Sequence, residues 1–252
     1  MIKLNGKIAI VTGGSRGIGA ATVRQWVGAG GRAIIHYSSS RAAAEELAEE
    51  VGRDSTTLVQ ADVMSVEDTE QLWRKSLKKW NHIDVLVNNA GIYEVNDLDW
   101  DLDRWLAGWR RTQRLNLESA AQLCRAALPH FIANGGGVIV NVASRAAHRG
   151  DDLHHLQYGA SKAGMLALNR AIARACGKQG VLAYGIAPGF VLTDMVDQVV
   201  RDKGIEAMNQ MYPTGRVATP DEVASVIVFV GSGLAPQTTG NTIDLSGAAD
   251  VR

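Results

Sequence analysis

Short apolar runs of strand length alternate with longer segments of helical periodicity along the whole chain. The runs at residues 8–11 and 138–140 contain only Ile, Val and Ala, as expected of strands that are buried on both faces of a parallel sheet. Such alternation predicts right-handed crossover units, and therefore an α/β fold with a doubly wound, seven-stranded parallel sheet and helices on both faces. The predicted strands are residues 7–12, 32–37, 57–60, 85–88, 137–142, 181–186 and 241–245, and the predicted helices are residues 18–29, 41–51, 66–80, 102–131, 157–178 and 220–231.

The alternation is interrupted once, at about residues 190–215. This segment follows a Pro-Gly pair and is only weakly periodic. Its position before the last helix predicts a flap over a binding site, with an ordinary surface pair of helices as the alternative. Because the chain has no linker, repeat or low-complexity tract, we expect a single domain over residues 1–252.

Composition excludes several classes of protein. The 26 basic and 26 acidic residues give a formal net charge of zero, whereas a nucleic-acid-binding domain usually has a basic excess. No apolar stretch approaches the roughly 18 residues of a membrane span, and the N-terminus has no signal-peptide pattern. These features predict a cytoplasmic protein that binds neither nucleic acid nor membrane.

The two cysteines, Cys124 and Cys176, lie far apart in helical segments and form no CxxC pair. They are therefore predicted to be buried free thiols. His154 and His155 are adjacent, but no cluster of acids or histidines with metal-ligand spacing accompanies them. We predict no metal site and interpret this pair as solvent-exposed loop histidines.

A glycine-rich turn, TGGSRGIG at residues 12–19, joins the first predicted strand to the first helix. Glycines at 13, 17 and 19 allow tight turns and close approach of a ligand, while the helix N-terminus presents free N–H groups. This arrangement predicts a site for the pyrophosphate of a dinucleotide. The spacing differs from GxGxxG, so its place at the first strand–helix junction carries the argument.

The end of the second strand predicts the choice of dinucleotide. Enzymes of this architecture that use NAD place an acid there to bind the ribose 2′-hydroxyl. Residues 36–41 read HYSSSR and contain no acid. Hydroxyls and the cations Arg16 and Arg41 suit a 2′-phosphate, so NADP(H) is favoured over NAD(H). The alternative is that both arginines are simply solvated and NAD binds.

Tyr158 and Lys162 stand at positions i and i+4 of a predicted helix, so their side chains share one face with Cβ atoms about 5–6 Å apart. A nearby ammonium lowers the pKa of a phenol, which would let Tyr158 exchange a proton with a carbonyl or alcohol oxygen. Ser144 follows a buried strand at the edge where open α/β sheets bind ligands. Its hydroxyl could hold the substrate oxygen beside Tyr158.

Taken together, these motifs resemble the short-chain dehydrogenase/reductase family, of the type that includes 3-oxoacyl-carrier-protein reductases. The resemblance covers residues 7 to about 247 and implies a single Rossmann domain. The ordered motifs that carry it are residues 12–19, Asp62-Val63, Asn88-Asn89-Ala90-Gly91, Asn116, Ser144, Tyr158 with Lys162, and Pro188-Gly189 with Thr193.

The resemblance implies a role for each matching residue. Ser144 would orient the substrate oxygen, Tyr158 would transfer the proton, Lys162 would also bind the nicotinamide ribose, and Asn116 would anchor a water leading from Lys162 to solvent. The implied cofactor-binding residues, together with those already assigned from the glycine turn and the second strand, are Gly13, Ser15, Arg16, Gly17, Ile18, Gly19, Tyr37, Ser38, Arg41, Asp62, Val63, Asn89, Ala90, Gly91, Tyr158, Lys162, Pro188, Gly189, Val191 and Thr193. The implied activity is NADP(H)-dependent hydride transfer between nicotinamide and a ketone or secondary alcohol.

Three features depart from those reductases. The interval from Ser144 to Tyr158 is longer, the polar loop at residues 145–157 is unusual, and residues 92–105 contain added aromatic residues. Trp100, Trp105 and Trp109 could form a substrate wall, or they could serve in packing or subunit contact. The substrate is therefore predicted only as a small carbonyl or alcohol.

Two other functions remain open. One is an NAD-linked dehydrogenase of a sugar, steroid or hydroxy acid; the other is a dinucleotide-binding sensor without turnover, although all four catalytic positions are intact. The resemblance also implies a homotetramer. Residues 117–128 and 165–172 have the apolar and small faces that such packing needs, but burial within one subunit would produce the same pattern.

Overall fold

The computed structural model describes residues 2–250, apart from the side chains of residues 196, 198, 199 and 203. The strands are β1 (Ile8–Val11), β2 (Arg32–Tyr37), β3 (Thr56–Gln60), β4 (Val85–Asn88), β5 (Gly137–Val142), β6 (Val181–Pro188) and β7 (Thr242–Leu245). They form one sheet in the order β3-β2-β1-β4-β5-β6-β7, and every neighbouring pair is parallel. The predicted seven-stranded parallel sheet and single Rossmann domain are confirmed.

Helices connect the strands on both faces of the sheet. They are α1 (Gly17–Gly28), α2 (Arg41–Val51), α3 (Val66–Trp80), α4 (Leu102–Gln113), α5 (Ser119–Ala133), α6 (Ala146–Arg149), α7 (Leu156–Cys176), α8 (Asp197–Lys203), α9 (Ile205–Gln210) and α10 (Pro220–Gly231). The single helix predicted over residues 102–131 is instead two α-helices joined by a π-helical turn, Arg114–Glu118. Within the predicted flap, residues 194–210 form short helices, as in the alternative interpretation.

The core consists of two apolar layers, one on each face of the sheet. Alternate residues of β1 point to opposite layers: Ala9 and Val11 pack with Trp26, whereas Ile8 and Ile10 pack in the layer that contains Phe131. Each fully buried Ile or Val side chain contributes about 1.5–3 kcal/mol of transfer free energy. This burial on both sides explains why the strands read as continuous apolar runs.

The strand order reverses between β1 and β4, because the chain moves outward to β2 and β3 before it returns to the other side of β1. Crossover connections leave these two strands in opposite directions and open a crevice at their carboxyl ends, which is where open α/β sheets bind ligands. The glycine turn, the Asn89 segment and Ser144 all follow carboxyl ends of strands. The topology therefore brings the predicted site residues to one edge of the sheet.

The structure also tests the predicted burial of the two cysteines and the predicted absence of a membrane span. Cys124 is a buried free thiol, and burial raises its pKa to about 12. Cys176 is also free, but it is only partly buried, so the prediction of two buried thiols is wrong for this residue near the end of α7. Within residues 2–250, no helix is long and apolar enough to cross a membrane.

Candidate active site

A cleft of about 510 Å³ opens at the carboxyl edge of the sheet. Its volume lies within the usual range for sites that bind small molecules and cofactors. The predicted residues that line it are Gly13, Ser15, Arg16, Gly17, Ile18, Tyr37, Ser38, Val63, Asn89, Ala90, Gly91, Ser144, Tyr158, Lys162, Pro188, Gly189, Val191 and Thr193. Gly19, Arg41, Asp62 and Asn116 lie outside the lining.

The glycine turn is shaped by close contacts that leave no room for side chains. Gly13 and Gly17 have φ values of +60° and +54°, in the left-handed region that favours glycine. A Cβ atom at Gly19 would lie 2.1 Å from the Gly13 carbonyl oxygen. Thus Gly19 supports the turn from behind, whereas Gly13 and Gly17 face the cleft.

The N-terminus of α1 points into this cleft with its backbone donors available. Its N-cap residue, Arg16, makes no side-chain capping hydrogen bond, and its first turn contains no acidic residue. Free N–H groups and the positive end of the helix dipole bind anions. The turn therefore fits a pyrophosphate, as predicted from the sequence.

A buried histidine that the sequence prediction missed supports the turn. His36, on β2, is 2% exposed. Its Nδ1 accepts a hydrogen bond from the Gly13 N–H at 3.0 Å, and its Nε2 lies 3.1 Å from the Ala61 carbonyl oxygen. Accepting at Nδ1 and donating at Nε2 requires the neutral tautomer. The only sequence signal was a histidine within an otherwise apolar strand.

At the end of β2, the two arginines predicted to bind a 2′-phosphate have different surroundings. Arg16 lines the cleft and lies 3.6 Å from Asp194, with both side chains largely exposed. Arg41 lies outside the lining, and its Nε donates to Glu45 at 2.7 Å. Arg16 thus faces the cleft without a hydrogen bond to its neighbouring carboxylate. Arg41, in contrast, would have to break its hydrogen bond with Glu45 before it could bind a ligand.

The segment after β4 is held against the glycine turn by Thr12. The Thr12 hydroxyl accepts hydrogen bonds from the N–H groups of Asn89 and Ala90 at 2.9 and 3.0 Å. Asn89 Nδ2 also donates to the carbonyl oxygen of Thr12 at 2.8 Å. These bonds fix two walls of the cleft relative to each other.

On the side of β3, Val63 lines the cleft, whereas the neighbouring Asp62 does not. The Asp62 carboxylate accepts the Met64 N–H at 2.9 Å, and the Asp62 N–H donates to Asp68 at 3.1 Å. Asp62 therefore shapes the turn from β3 into α3.

Ser144, Tyr158 and Lys162 meet inside the cleft, as their sequence spacing predicts. Ser144 and Tyr158 both line the cleft, and the Ser144 side chain is close enough to Tyr158 to lower the pKa of its phenol. Lys162 is 3% exposed, and its Nζ donates to the Val142 carbonyl oxygen at 2.8 Å. Nζ lies 5.8 Å from the centre of the Tyr158 ring, so the ammonium is close to the phenol but bonded to the backbone of β5.

Burial dominates the titration of this pair. It raises the pKa of Tyr158 to about 12, although the hydrogen bond with Ser144 acts in the opposite direction. It also lowers the pKa of Lys162 to about 8. The predicted lowering of the Tyr158 pKa is therefore wrong for this structure, because desolvation of the phenolate outweighs the hydrogen bond that favours the anion. At neutral pH the phenol is protonated and can donate its proton.

Asn116 lies in the π-helical turn between α4 and α5 and is fully buried. Its Oδ1 accepts the Ile92 N–H at 2.8 Å, and its Nδ2 donates to the Ile92 carbonyl at 3.0 Å and to Ser161 Oγ at 3.2 Å. A Cβ atom at Gly91 would lie 3.4 Å from both Asn116 Oδ1 and Lys162 Nζ. Asn116 thus joins the Gly91 segment to α7, immediately beside Lys162.

The remaining wall follows β6. Pro188, Gly189, Val191 and Thr193 line the cleft, as the resemblance implied. Tyr212, which sequence reasoning missed, accepts the Phe190 N–H at 2.6 Å through its hydroxyl. A Cβ atom at Gly189 would lie 2.7 Å from the same oxygen, so Tyr212 requires a glycine there.

A family comparison agrees with this geometry. The short-chain dehydrogenase model described as enoyl-(acyl carrier protein) reductase matches residues 13–247. The chain belongs to the short-chain dehydrogenase/reductase family. It is accordingly an oxidoreductase that acts on a keto or CH–OH group with a nicotinamide cofactor.

Relatives of several substrate classes resemble this short-chain dehydrogenase/reductase. A 3-oxoacyl-[acyl-carrier-protein] reductase from Synechocystis sp. is 32% identical over 250 residues, which is 98% of each chain. D-threitol dehydrogenase from Mycolicibacterium smegmatis is 31% identical over 252 residues, 99% of this chain and 95% of that protein. A solved 7α-hydroxysteroid dehydrogenase, complexed with NADH and 7-oxoglycochenodeoxycholic acid, matches with a TM-score of 0.90 and 30% identity over 97% of this chain and 94% of that one.

In the loop between Ser144 and Tyr158 of this short-chain dehydrogenase/reductase, the interpretation of both paired histidines as solvent-exposed is wrong for His155. His154 is exposed, but His155 is only 9% exposed. The His155 ring stacks on Tyr93 with centroids 4.0 Å apart, and its Nδ1 lies 2.7 Å from Asp152 Oδ1. Tyr93 in turn meets Tyr158 edge-on at 4.8 Å. His155 is thus a packed residue in contact with Tyr93, which in turn contacts Tyr158.

The added tryptophans do not reach the cleft. Trp105 and Trp109 stack on each other at 5.3 Å, and the Arg104 guanidinium lies 3.6 Å from the centre of the Trp100 ring. All three tryptophans lie outside the lining, which favours the packing interpretation over a substrate wall. In the part of the chain that the structure describes, no group of three or more His, Cys, Asp or Glu side chains could hold a metal ion.

The neutral state of His36 predicts a pH-dependent stability. Burial lowers its pKa in the folded protein, while an unfolded histidine titrates near about 6.5. Below that pH the unfolded state binds more protons, so this contribution to stability is complete at neutral pH and is lost as the pH falls. As the pH falls from about 7 to about 5, the Tm of His36→Asn should decrease less than that of the wild-type protein, because asparagine keeps an acceptor near Gly13 but does not titrate. Thermal denaturation across this pH range measures the difference.

Two further variants complete this test. His36→Leu removes the acceptor and should lower the Tm at every pH, while His154→Asn, on the exposed loop, should keep the wild-type pH dependence. An unchanged acid-induced decrease in Tm for His36→Asn would contradict the assignment of the neutral tautomer.

Proposed function

We propose that this enzyme is an NADP(H)-dependent reductase of ketones, including those of 3-oxoacyl type, with Tyr158 as the general acid/base. The observation that carries the proposal is the position of Ser144 and Tyr158 close together in the cleft, with the phenol protonated at neutral pH. A protonated donor beside the carbonyl oxygen suits reduction. The reverse oxidation would use the same groups.

When bound, the nicotinamide supplies the hydride that is transferred to the carbonyl carbon of the substrate. Ser144 orients the carbonyl oxygen toward the Tyr158 hydroxyl. As the carbon–oxygen double bond becomes single, the Tyr158 proton moves to that oxygen and the alcohol leaves. The resulting phenolate is stabilised by the Ser144 hydroxyl and by the nearby Lys162 ammonium, since a hydrogen bond and an opposite charge both favour an anion.

The cofactor contacts are proposed for the residues that line the cleft. The uncapped start of α1, with Gly13, Ser15, Gly17 and Ile18, would bind the pyrophosphate. The other proposed contacts are Tyr37, Ser38 and Arg16 at the adenosine ribose, Val63 at the adenine, Asn89, Ala90 and Gly91 along the middle, Lys162 at the nicotinamide ribose, and Pro188, Gly189, Val191 and Thr193 at the nicotinamide. Asp62 acts on the adenine site through its turn. Asn116 positions the Gly91 segment, next to the water that it is expected to anchor.

The preference for NADP(H) rests on Arg16 in the glycine turn and on the hydroxyls at the end of β2. Tyr37, Ser38, Ser39 and Ser40 line the cleft at the end of β2, and Arg16, the N-cap residue of α1, lines it as well. Hydroxyls and a guanidinium bind a phosphate dianion, whereas a carboxylate at this position would repel it. Because Arg41 is held by Glu45, we assign the larger share of the binding to Arg16.

A second candidate is an NAD-dependent dehydrogenase of a polyol, steroid or hydroxy acid. It is favoured by the likeness to D-threitol dehydrogenase and to the 7α-hydroxysteroid dehydrogenase that was solved with NADH. The same catalytic groups serve both candidates, so the adenosine end of the cleft distinguishes them.

We further propose a homotetramer. Phe229 on α10 and the following Leu234 are 43% and 67% exposed, and they offer apolar surface for subunit packing. The helix face at residues 165–172, which the sequence offered for subunit packing, instead packs inside the subunit, because Met165, Leu166 and Ile172 are buried there. Light scattering of the purified protein should give about four times the subunit mass of 27.0 kDa, whereas a monomer mass would contradict this proposal.

Tyr158→Phe should decrease turnover of a ketone by at least about 100-fold, because it removes the proton donor. The affinity for NADPH should change little, since the ring remains. Steady-state kinetics and fluorescence titration measure the two effects. Tyr184→Phe, which loses the same hydroxyl outside the cleft, is the matched control and should keep most of the activity. Substantial turnover by Tyr158→Phe would refute the proton-transfer role.

Arg16→Ala should weaken NADPH binding by about 10- to 100-fold, because hydrogen bonds to charged groups contribute about 1.5–3 kcal/mol. Binding of NADH should change much less. Arg41→Ala should have a smaller effect on NADPH, and the double variant the largest. Titration with both cofactors tests this order; equal losses for NADPH and NADH would refute the 2′-phosphate assignment and favour the second candidate.

A further inference from the structure

Besides Arg145, the polar loop contributes two further charged side chains to the lining of the cleft. Arg149 ends the short helix α6, and Asp151 follows two residues later; both line the cleft. The backbone of Asp151 packs beside α7, since a Cβ atom at Gly159 would lie 3.7 Å from the Asp151 nitrogen. Gly159 directly follows Tyr158, so the Asp151 segment borders the site of proton transfer.

The Asp151 carboxylate is largely enclosed and lies near the phenols. Its side chain is 11% exposed, and burial raises its pKa. Its negative charge also raises the pKa of both Tyr158 and Tyr93. Because electrostatic effects weaken with distance, the carboxylate lies near the phenols as well as in the lining of the cleft.

Asp151 and Arg149 are neighbours, but their polar atoms do not bond to each other. Arg149 Nη2 lies 4.0 Å from Asp151 Oδ1, and Arg149 Nε lies 4.0 Å from Asp250 Oδ2. Both separations exceed hydrogen-bonding distance. Within residues 2–250, the only hydrogen bond found for the Asp151 carboxylate comes from the Asp152 N–H at 3.0 Å. The pair therefore retains an acceptor and a donor that can serve a substrate.

The charges around Arg149 and Asp151 determine which chemical group of a substrate fits beside them. A substrate carboxylate would be attracted by Arg149 but repelled by Asp151 and Asp250, while an ammonium would be repelled by Arg149 and by the buried Arg145. A hydrocarbon chain would leave the enclosed carboxylate with the Asp152 N–H as its single hydrogen-bond donor among the described residues, which is costly for a charged group. A hydroxyl donates one hydrogen bond and accepts others, so it satisfies Asp151 and Arg149 together without net charge.

We propose that Asp151, with Arg149, binds a hydroxyl group of the substrate close to the reacting carbonyl. The preferred substrates are therefore hydroxylated ketones in reduction and the corresponding diols or polyols in oxidation. This inference rests on the proposed carbonyl reduction and specifies its substrate class. The pair contacts the substrate away from the reacting atoms, so it determines specificity while Tyr158 and Ser144 perform the proton transfer.

The test compares three ketones of one chain length: 2-butanone, 3-hydroxy-2-butanone and 4-hydroxy-2-butanone. Oxidation of the preferred cofactor is followed for the full-length protein, and kcat/KM is obtained for each ketone. We expect the better hydroxyketone to exceed 2-butanone by about 10- to 100-fold, as for other buried hydrogen bonds to charged groups. Asp151→Leu, which is similar in size but has no acceptor, should bring this ratio to about one-tenth of its wild-type value or less.

Two variants control for folding and for charge. Asp151→Asn keeps the side-chain shape and one acceptor, and it should give an intermediate ratio. Asp99→Leu removes an exposed carboxylate from the loop after β4, outside the cleft, and it should keep the wild-type ratio. Dividing each variant's ratio by that of the wild type cancels the intrinsic reactivities of the ketones.

The outcomes separate this inference from the proposed function. Turnover of all three ketones with the same ratio in wild type and Asp151→Leu would overturn the hydroxyl site and leave the reductase assignment intact. A faster reaction of 4-oxopentanoate than of 2-pentanone would also overturn it, because Arg149 would then be selecting an anion. No turnover of any ketone with either NADPH or NADH would reject the proposed function and this inference together.

Discussion

The cleft depends on the hydroxyl of Thr12, which joins the two strands between which the strand order reverses. Thr12 lies at the end of β1, and its Oγ1 accepts the N–H groups of Asn89 and Ala90 while donating to the Val87 carbonyl at 3.2 Å. Without these bonds, backbone groups at the end of β4 would have to find other partners at the bottom of a largely apolar crevice, which costs free energy. With them, the glycine turn and the Asn89 segment keep a fixed separation across the cleft.

The proposed catalytic pair, Tyr158 and Lys162, depends on a second constraint, the burial that comes with its position between β5 and α7. Lys162 is enclosed so completely that its ammonium uses the Val142 carbonyl as a partner. A buried charge needs such a hydrogen bond, and the bond also fixes the side chain near the Tyr158 ring. Enclosure raises the phenol pKa from 10.0 to about 12 and lowers that of the ammonium from 10.5 to about 8, so the two values move apart. Burial thus favours the neutral form of both side chains, and the phenol keeps its proton at neutral pH.

Sequence patterns predicted the elements whose cause is local, and they were less informative where a residue's role depends on distant partners. The bounds of β2, β4, β5, α2, α3 and α10 agree with prediction, because apolar runs, caps and glycines act within a few residues. The π-helical turn at Asn116 leaves the apolar periodicity almost unchanged, so the sequence predicts one continuous helix there. The sequence analysis also does not predict the ion pair between Arg41 and Glu45, although the two residues stand at positions i and i+4 of one helix. His36 and His155 contact residues far along the chain, so their burial could be found only from the assembled fold.

The substrate end of the cleft is anchored separately from its chemical centre. Arg145, next to Ser144, is 6% exposed; its guanidinium lies 5.3 Å from the ring centres of both Phe190 and Tyr212, and it pairs with Asp250 at 3.4 Å. A buried cation that contacts two rings and one carboxylate holds the serine loop, the segment after β6 and the end of the described chain in one arrangement. None of these contacts involves Tyr158 or Lys162. Arg149 and Asp151, farther along the loop, line the same cleft. Under the proposed function, such residues can change the substrate that is selected while the positions of Tyr158 and Ser144 stay the same, which is how one fold serves many substrates.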